Sequence, residues 1–321
     1  PECGCHRDAN GISKHKCKLA AISRHSMRWR SNRTMAAALA VICMWGVLFN
    51  IRNSLITRPL HLADTICKPP SENSLDGFVY ICSGKGCDQS FLCYSIFLLR
   101  TVSMWKGPVY IVSDQQEFIH HTACSYHNPL ALRDDSPSFN YTTIPTPPAP
   151  TLMHMKNYKR QLFTLVGRNA TKLIYIDADI LPVGCLGKFL DEEAPSELGM
   201  FHDSLCANCN KYLGGFIYMR REPETQQCLD AWSEEAARDD FSRYDKDQKA
   251  LDQLLGKKGP CNSIIRTLPY SYIETFDNYV LLPFMGFLTH KTPVFQHFSH
   301  GIRNMPIWPT VLQNIQRQIF M

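Results

Sequence analysis

Lys172-Leu-Ile-Tyr-Ile-Asp-Ala-Asp-Ile-Leu-Pro-Val183 runs four consecutive apolar residues straight into two carboxylates. A short unbroken apolar run of this kind is the pattern of a central parallel strand buried on both faces. If strand geometry continues through Asp177 and Asp179, the period-two alternation of side chains points both carboxylates the same way. Two carboxylates converging in a water-poor cleft repel each other unless a cation joins them. A hard divalent ion held there keeps open positions for the oxygens of a diphosphate. Asp-x-Asp alone is a common triplet and mostly a solvated turn. The apolar strand ahead of it and Ile180-Leu-Pro-Val183 behind it weigh against that here.

Upstream, Gly77-Phe-Val-Tyr-Ile-Cys-Ser83 is a second apolar run, closed by the tight loop Gly84-Lys-Gly86. The spacing of Phe91, Tyr94, Leu98 and Val102 predicts a helix over 89–105, and Pro108-Val-Tyr-Ile-Val112 predicts a strand ending at Ser113-Asp114. Strand, helix and strand within 37 residues make a βαβ unit, hence a parallel sheet that collects its ligands at the carboxyl edge. The segment 136–150 holds five prolines and reads as a loop, and a helix is expected over 155–166. Downstream, Lys211 to Arg220 reads as a strand entered through Gly214 and Gly215. Helices follow over 224–238 and 246–255, the second carrying Asp247-Gln248 on its first turn. The alternation of elements predicts an α/β fold with a mostly parallel sheet flanked by helices. Lys156 and Lys159 read as a solvated helix face, and Trp232 and Phe241 as core. His120, His121 and His154 lack metal-ligand spacing.

Charge divides the 321 residues unevenly. The total is +5, from 34 Lys+Arg and 29 Asp+Glu, but residues 1–58 hold ten basic and two acidic side chains, so the remainder sums to −3. Without a basic footprint on the body, nucleic-acid binding is disfavoured. Residues 35–51 carry no charge, and seventeen helical residues span roughly 26 Å, enough for a thin bilayer. Lys14, Lys16, Lys18, Arg28, Arg30 and Arg33 precede that stretch, and only Arg52 and Arg58 follow it closely. The bias predicts a type II signal anchor: cytosolic basic tail 1–34, transmembrane helix 35–51, stem 52–76 and a lumenal body 77–321 in the Golgi or ER. A cleaved signal peptide and a buried core helix are the alternatives. Ten of the 14 Cys follow the anchor, a number compatible with lumenal disulfides of unassigned pairing. Cys206 and Cys209 have zinc-like spacing without a second pair. Asn140-Tyr-Thr and Asn169-Ala-Thr are glycosylation acceptors if lumenal, whereas Asn32-Arg-Thr is expected on the cytosolic side.

The segment 172–183 resembles the metal-binding segment of nucleotide-sugar glycosyltransferases of the GT-A fold, a Rossmann-like α/β architecture, and is most similar to glycosyltransferase family 8, the glycogenin and galactinol synthase group. The likeness runs from Gly77 to Trp308. It takes in the Ser83-Gly84 loop, Arg160, Leu186-Gly-Lys-Phe-Leu-Asp191, Leu213-Gly-Gly-Phe-Ile-Tyr218, Asp247-Gln248 and His297-Phe-Ser-His-Gly-Ile-Arg303.

The resemblance implies an enzyme that moves a sugar from a nucleoside diphosphate sugar, with uridine the expected base, to a hydroxyl on a glycan, protein or small molecule, with retained anomeric configuration. It implies Mn²⁺ or Mg²⁺ on Asp177, Asp179 and one C-terminal histidine, His297 or His300. Ile81, Ser83, Gly84, Arg160, Ala178, Gly214, Gly215, Gly301 and Arg303 would line the donor site, and Asp203, Asp247 and Gln248 would orient sugar and acceptor. Three departures stand out. Leu213 replaces the family's Asn, one extra residue separates His297 from Gly301, and Asn304-Met-Pro replaces Lys-Pro. Two rival classes remain: a non-catalytic glycan-binding or scaffold protein of this fold, and a haloacid-dehalogenase-type phosphatase. The second usually carries its Asp-x-Asp near the start of the domain.

Overall fold

In the computed structural model, the residues described are 41, 43, 45, 46, 67–71, 74–84, 87–120, 124, 140–148, 156–193, 197–202, 212–238, 246–276, 293–298, 303, 304, 306 and 308–320. The chain divides into two units, Pro1–Ser54 and Leu55–Met321. The four described residues of the first are helical, with Val41 and Trp45 exposed. Apart from those four, the expected anchor 35–51 lies outside the described residues, as do the basic tail and most of the stem. Among the described residues no helix is long and apolar enough to cross a membrane.

The second unit is built on strands β1 (Gly77–Cys82), β2 (Val109–Ser113), β3 (Thr142–Pro145), β4 (Lys172–Ile176), β6 (Leu198–His202), β7 (Tyr212–Arg220) and β8 (Ile265–Leu268), ordered β3-β2-β1-β4-β7-β6-β8 in one sheet. Every neighbouring pair is parallel except those made by β7, which runs antiparallel to β4 and β6. The unbroken apolar runs have the expected cause. In β1, Phe78 and Tyr80 join one core layer while Val79 and Ile81 join the other, so both faces are covered. Helix α1 (Gln89–Thr101) is the crossover between β1 and β2, capped by the Asp88 carboxylate on the Phe91 amide at 3.1 Å. It stops short of the expected Trp105, because Met104 adopts a φ of 56° and turns the chain out of the helix.

A three-stranded sheet, β5 (Ile180–Pro182), β10 (Phe295–Phe298) and β9 (Ile273–Phe276), stands beside the large one. Aromatic packing joins the two sheets, with the rings of Phe216 on β7 and Phe295 on β10 4.7 Å apart. Helices α3 (Pro223–Arg238) and α4 (Lys246–Gly256) cover one face around Trp232, which is core as expected. The C-terminal helix α5 (Trp308–Phe320) lays Val311, Ile315 and Ile319 against Phe91, Tyr94 and Leu98 of α1.

The helix expected over 155–166 is broken. One turn at 156–158 is followed by non-helical Lys159 and Arg160, and helix α2 resumes at Leu162–Val166. Both cations lie near the same indole, 5.5 and 5.4 Å from the Trp232 ring. Four disulfides are present among the described residues: Cys67–Cys185, Cys82–Cys87, Cys93–Cys124 and Cys228–Cys261. Cys206, Cys209 and Phe241 lie outside those residues.

Candidate active site at the carboxyl edge

The two motif aspartates do not continue their strand. β4 ends at Ile176, and the Ile180 amide donates to the Asp177 carbonyl at 3.0 Å, closing a turn over Asp177-Ala178-Asp179. Strand alternation therefore does not align the carboxylates. The turn is fixed from both sides, by the Asp177 amide on the Gly215 carbonyl at 2.7 Å and the Phe298 amide on the Asp179 carbonyl at 2.9 Å. Asp177 is half-buried and accepts a hydrogen bond from the Tyr175 hydroxyl. Burial first, and then the Asp179 charge, push its carboxyl above the usual carboxylate range, against the pull of Lys159. A carboxylate so placed is stabilised by added positive charge.

Asp179 faces the other sheet. Antiparallel pairing of β5 with β10 sets His297 opposite Ile180, which brings the imidazole Nε2 to 3.8 Å from Asp179 Oδ1. The second oxygen, Oδ2, accepts from the Arg303 guanidinium at 2.6 Å. Asp179 Oδ1 is buried and has no hydrogen-bond partner among the described residues. The gap to His297 is longer than a hydrogen bond, yet short enough for both atoms to ligate one cation with bonds of ~2.1 Å. An orphaned carboxylate oxygen with an imidazole across that gap fits a divalent cation, and the half-buried Asp177 stands two residues away on the same turn. No group of three His, Cys, Asp or Glu is assembled around a shared metal position among the described residues. His300, Gly301 and Asp203 lie outside those residues.

Lys156 and Lys159 depart from the expectation of a solvated face. Lys159 is 3 % exposed, ion-paired to Asp247 and 3.2 Å from the Gly214 carbonyl, while Lys156 reaches the same carboxylate at 2.8 Å. Asp247 is itself fully buried on the first turn of α4, and burial alone would raise its pKa. The two ammonium groups overcome that and hold the carboxyl well below the usual range. Gln248 beside it donates to the Tyr212 carbonyl at 3.0 Å. The paired glycines have a steric reason. A Cβ on Gly214 would stand 3.0 Å from Lys159 Nζ, and one on Gly215 2.7 Å from Asp177 Oδ2.

Arg160, expected at the donor phosphates, is buried against Trp232 and donates to Ser233 and Asn157. Its burial lowers the guanidinium pKa to about 10. The preceding residue, Lys159, is the cation that faces the carboxylates. Leu213 is buried in the core, so nothing polar stands in for the expected Asn at that position. At the end of β1, Ile81 and Ser83 are buried, and Gly84 takes a φ of 68° while its amide donates to both oxygens of Asp114, at 2.9 and 3.1 Å. Cys82–Cys87 closes this loop. Asp114, Tyr175 and Lys159 were missed as site residues. The first was recoverable, since it ends a strand of the βαβ unit at the edge where ligands bind.

No protein-family model and no curated protein sequence matches the chain. Solved structures do. The glycosyltransferase GlyE of Streptococcus pneumoniae TIGR4 aligns with a TM-score of 0.51 and 13% identity over 77% of this chain and 62% of its own. The galactosyltransferase LgtC, solved with donor and acceptor sugar analogues, aligns with a TM-score of 0.50 and 14% identity over 75% of this chain and 95% of its own. The chain has the GT-A-type glycosyltransferase fold. It spans about three-fifths of GlyE's length.

Proposed function

We propose that the chain is a glycosyltransferase using a nucleoside diphosphate sugar, with Asp177, Asp179 and His297 (alternatively His300) as ligands of Mn²⁺ or Mg²⁺. The observation that carries this is the meeting of Asp177, Asp179, His297, Arg303, Asp247 and Gln248 from separate strands and helices at one sheet edge. When bound, the cation supplies Lewis-acid stabilisation of charge on the departing diphosphate. The chain's own residues bind and orient. The Ser83-Gly84 loop, braced by Asp114 and Cys82–Cys87, receives the nucleoside, for which uridine is the proposed base. Arg303 shifts from Asp179 to the diphosphate oxygens as the donor enters.

Lys156 and Lys159 keep Asp247 ionised and fixed, which orients Gln248 toward the sugar and the acceptor hydroxyl together with Asp203. In the transfer, the bond from the anomeric carbon to the diphosphate breaks, the acceptor oxygen bonds to that carbon, and its proton leaves to the diphosphate. Configuration is retained in this reading. Residues 1–34, 35–51 and 52–76 are proposed as cytosolic tail, type II anchor and stem, with 77–321 in the Golgi or ER lumen. The charge asymmetry and four disulfides support that compartment.

The Arg303–Asp179 ion pair also favours a second reading, a non-catalytic glycan-binding member of the fold in which that pair is permanent. A panel of nucleotide sugars offered to the full chain with Mn²⁺ separates the two. Metal-dependent donor turnover that is lost in Asp179→Ala supports the enzyme. Glycan binding with no turnover of any donor supports the alternative, and turnover unchanged in Asp179→Ala refutes the metal site.

A further inference from the structure

Parallel strands separate the two ends of the sheet chemically. The candidate site occupies the carboxyl edge, whereas both described glycosylation acceptors, Asn140 and Asn169, stand just ahead of β3 and β4, at the amino edge. Both asparagines are exposed. Asn140 borders a groove, of about 570 Å³, between the ends of β2 and β3. Its lining includes Trp105 and Tyr141, both largely buried, with Arg100, exposed Lys106 and exposed Thr142 around them. This size is that of small-ligand clefts, and aromatic edges flanked by cationic donors suit the hydroxyl and acetamido groups of a sugar. The attachment point is also fixed relative to the groove. Arg100 donates to the Asn140 carbonyl at 2.6 Å and to the Gly107 carbonyl at 2.6 Å, and Thr142 is held in register with Tyr110.

We propose that Asn140 carries an N-linked glycan whose first sugar lies in this groove, against Lys106 and the Trp105 and Tyr141 edges. The inference rests on the lumenal reading of the body and is independent of its catalytic activity. The modification joins Asn140 Nδ2 to the anomeric carbon of a lipid-diphosphate oligosaccharide, supplied with its transferase by the secretory pathway. The bond from that carbon to the diphosphate breaks, the lipid diphosphate leaves, and one amide proton passes to the transferase. Attachment here leaves the opposite edge open to donor and acceptor, and the glycan shields a cleft that holds two cations.

The test uses the full chain made in a secretory host. Peptide mapping on one sample reads both glycan occupancy and the disulfides. Native release by a peptide N-glycanase is then timed at Asn140 before and after denaturation, in the wild type and in Lys106→Ala. The expected result is an occupied Asn140 released at least about tenfold more slowly from the folded chain, as for any group protected by a local opening equilibrium, and faster release in Lys106→Ala. A bare Asn140 in a chain with Cys67–Cys185 formed overturns the glycan while sparing the lumenal reading. Reduced cysteines with a bare Asn140 overturn both. Release rates indifferent to folding or to Lys106→Ala overturn the seat in the groove.

Discussion

The two edges of the large sheet use charge in opposite ways. At the amino edge several ionised side chains are spent on local hydrogen bonds of the turns they brace. Asp76 accepts from the Thr171 amide at 2.6 Å, the Thr171 hydroxyl at 2.8 Å and the Lys172 amide at 2.8 Å. Arg100 caps the Trp105, Gly107 and Asn140 carbonyls, and Arg221 caps those of Phe163 and Gly167. At the carboxyl edge, charge faces charge: Lys156 and Lys159 on Asp247, Arg303 on Asp179, and Asp179 pressing on Asp177. Side chains that satisfy backbone groups close off turns. A buried cluster of opposed charges with an orphaned oxygen costs stability and is retained where a ligand uses it.

The sharpest break of this contrast is Asp247→Asn. It leaves the Lys159 ammonium buried without its counter-charge, and removing one partner of a buried pair costs ~3–5 kcal/mol. Denaturant unfolding should show a loss of that size. Exchanging both members, Lys159→Met with Asp247→Leu, should recover much of the stability without recovering transfer. Recovery of transfer in the double variant would mean the pair is scaffolding, as the amino-edge charges are.

Next in size is Asp179→Asn. The amide still accepts from Arg303, so the unfolding midpoint should hold, while kcat/KM for the preferred donor falls by roughly 10²–10³, the range seen when one electrostatic stabiliser of a transition state is lost. A parallel fall in stability would put Asp179 with the structural charges. Gly215→Ala tests the same site sterically. Its Cβ would stand 2.7 Å from Asp177 Oδ2, and overpacking of this kind costs about 1–3 kcal/mol. Activity should drop further than stability, because the atom displaced is a carboxylate oxygen of the site. Wild-type metal dependence in this variant would show that Asp177 can move without consequence.

These variants also mark what sequence could and could not tell. β1, β2 and β4 were legible because burial on both faces writes an unbroken apolar run, and the carboxyl edge followed from their parallel order. The turn at 177–179 was not, since Ile180-Leu-Pro reads as a continuation of β4 and only the hydrogen bonds to Gly215 and Phe298 bend it away. Lys159 looked solvated because its partner arrives from a distant helix, and local sequence carries no trace of an ion pair closed by tertiary structure. The exchange between Arg160 and Lys159 has the same origin. Arg160 was expected at the donor phosphates from its place in the family resemblance, whereas the non-helical pair Lys159-Arg160 meets the Trp232 ring.

The smallest effect belongs to the amino edge. Asp76 is partly exposed. Burial would raise its pKa, but hydrogen bonds from Thr171 and Lys172 and the Lys172 charge bring it below the usual value for an aspartate. The sign follows directly. A depressed carboxylate contributes stability that is fully present above its unfolded pKa, near 3.9, and is lost as pH falls through the lower folded value. Asp76→Asn should therefore cost about 1 kcal/mol at neutral pH, after allowing for solvent screening at this surface, and the difference from wild type should vanish in acid. Donor turnover should not change at any pH where both proteins are folded, because every bond Asp76 makes holds the start of β4, one strand length from Asp177. A change in KM or in metal dependence would show that the two edges are mechanically coupled through β4.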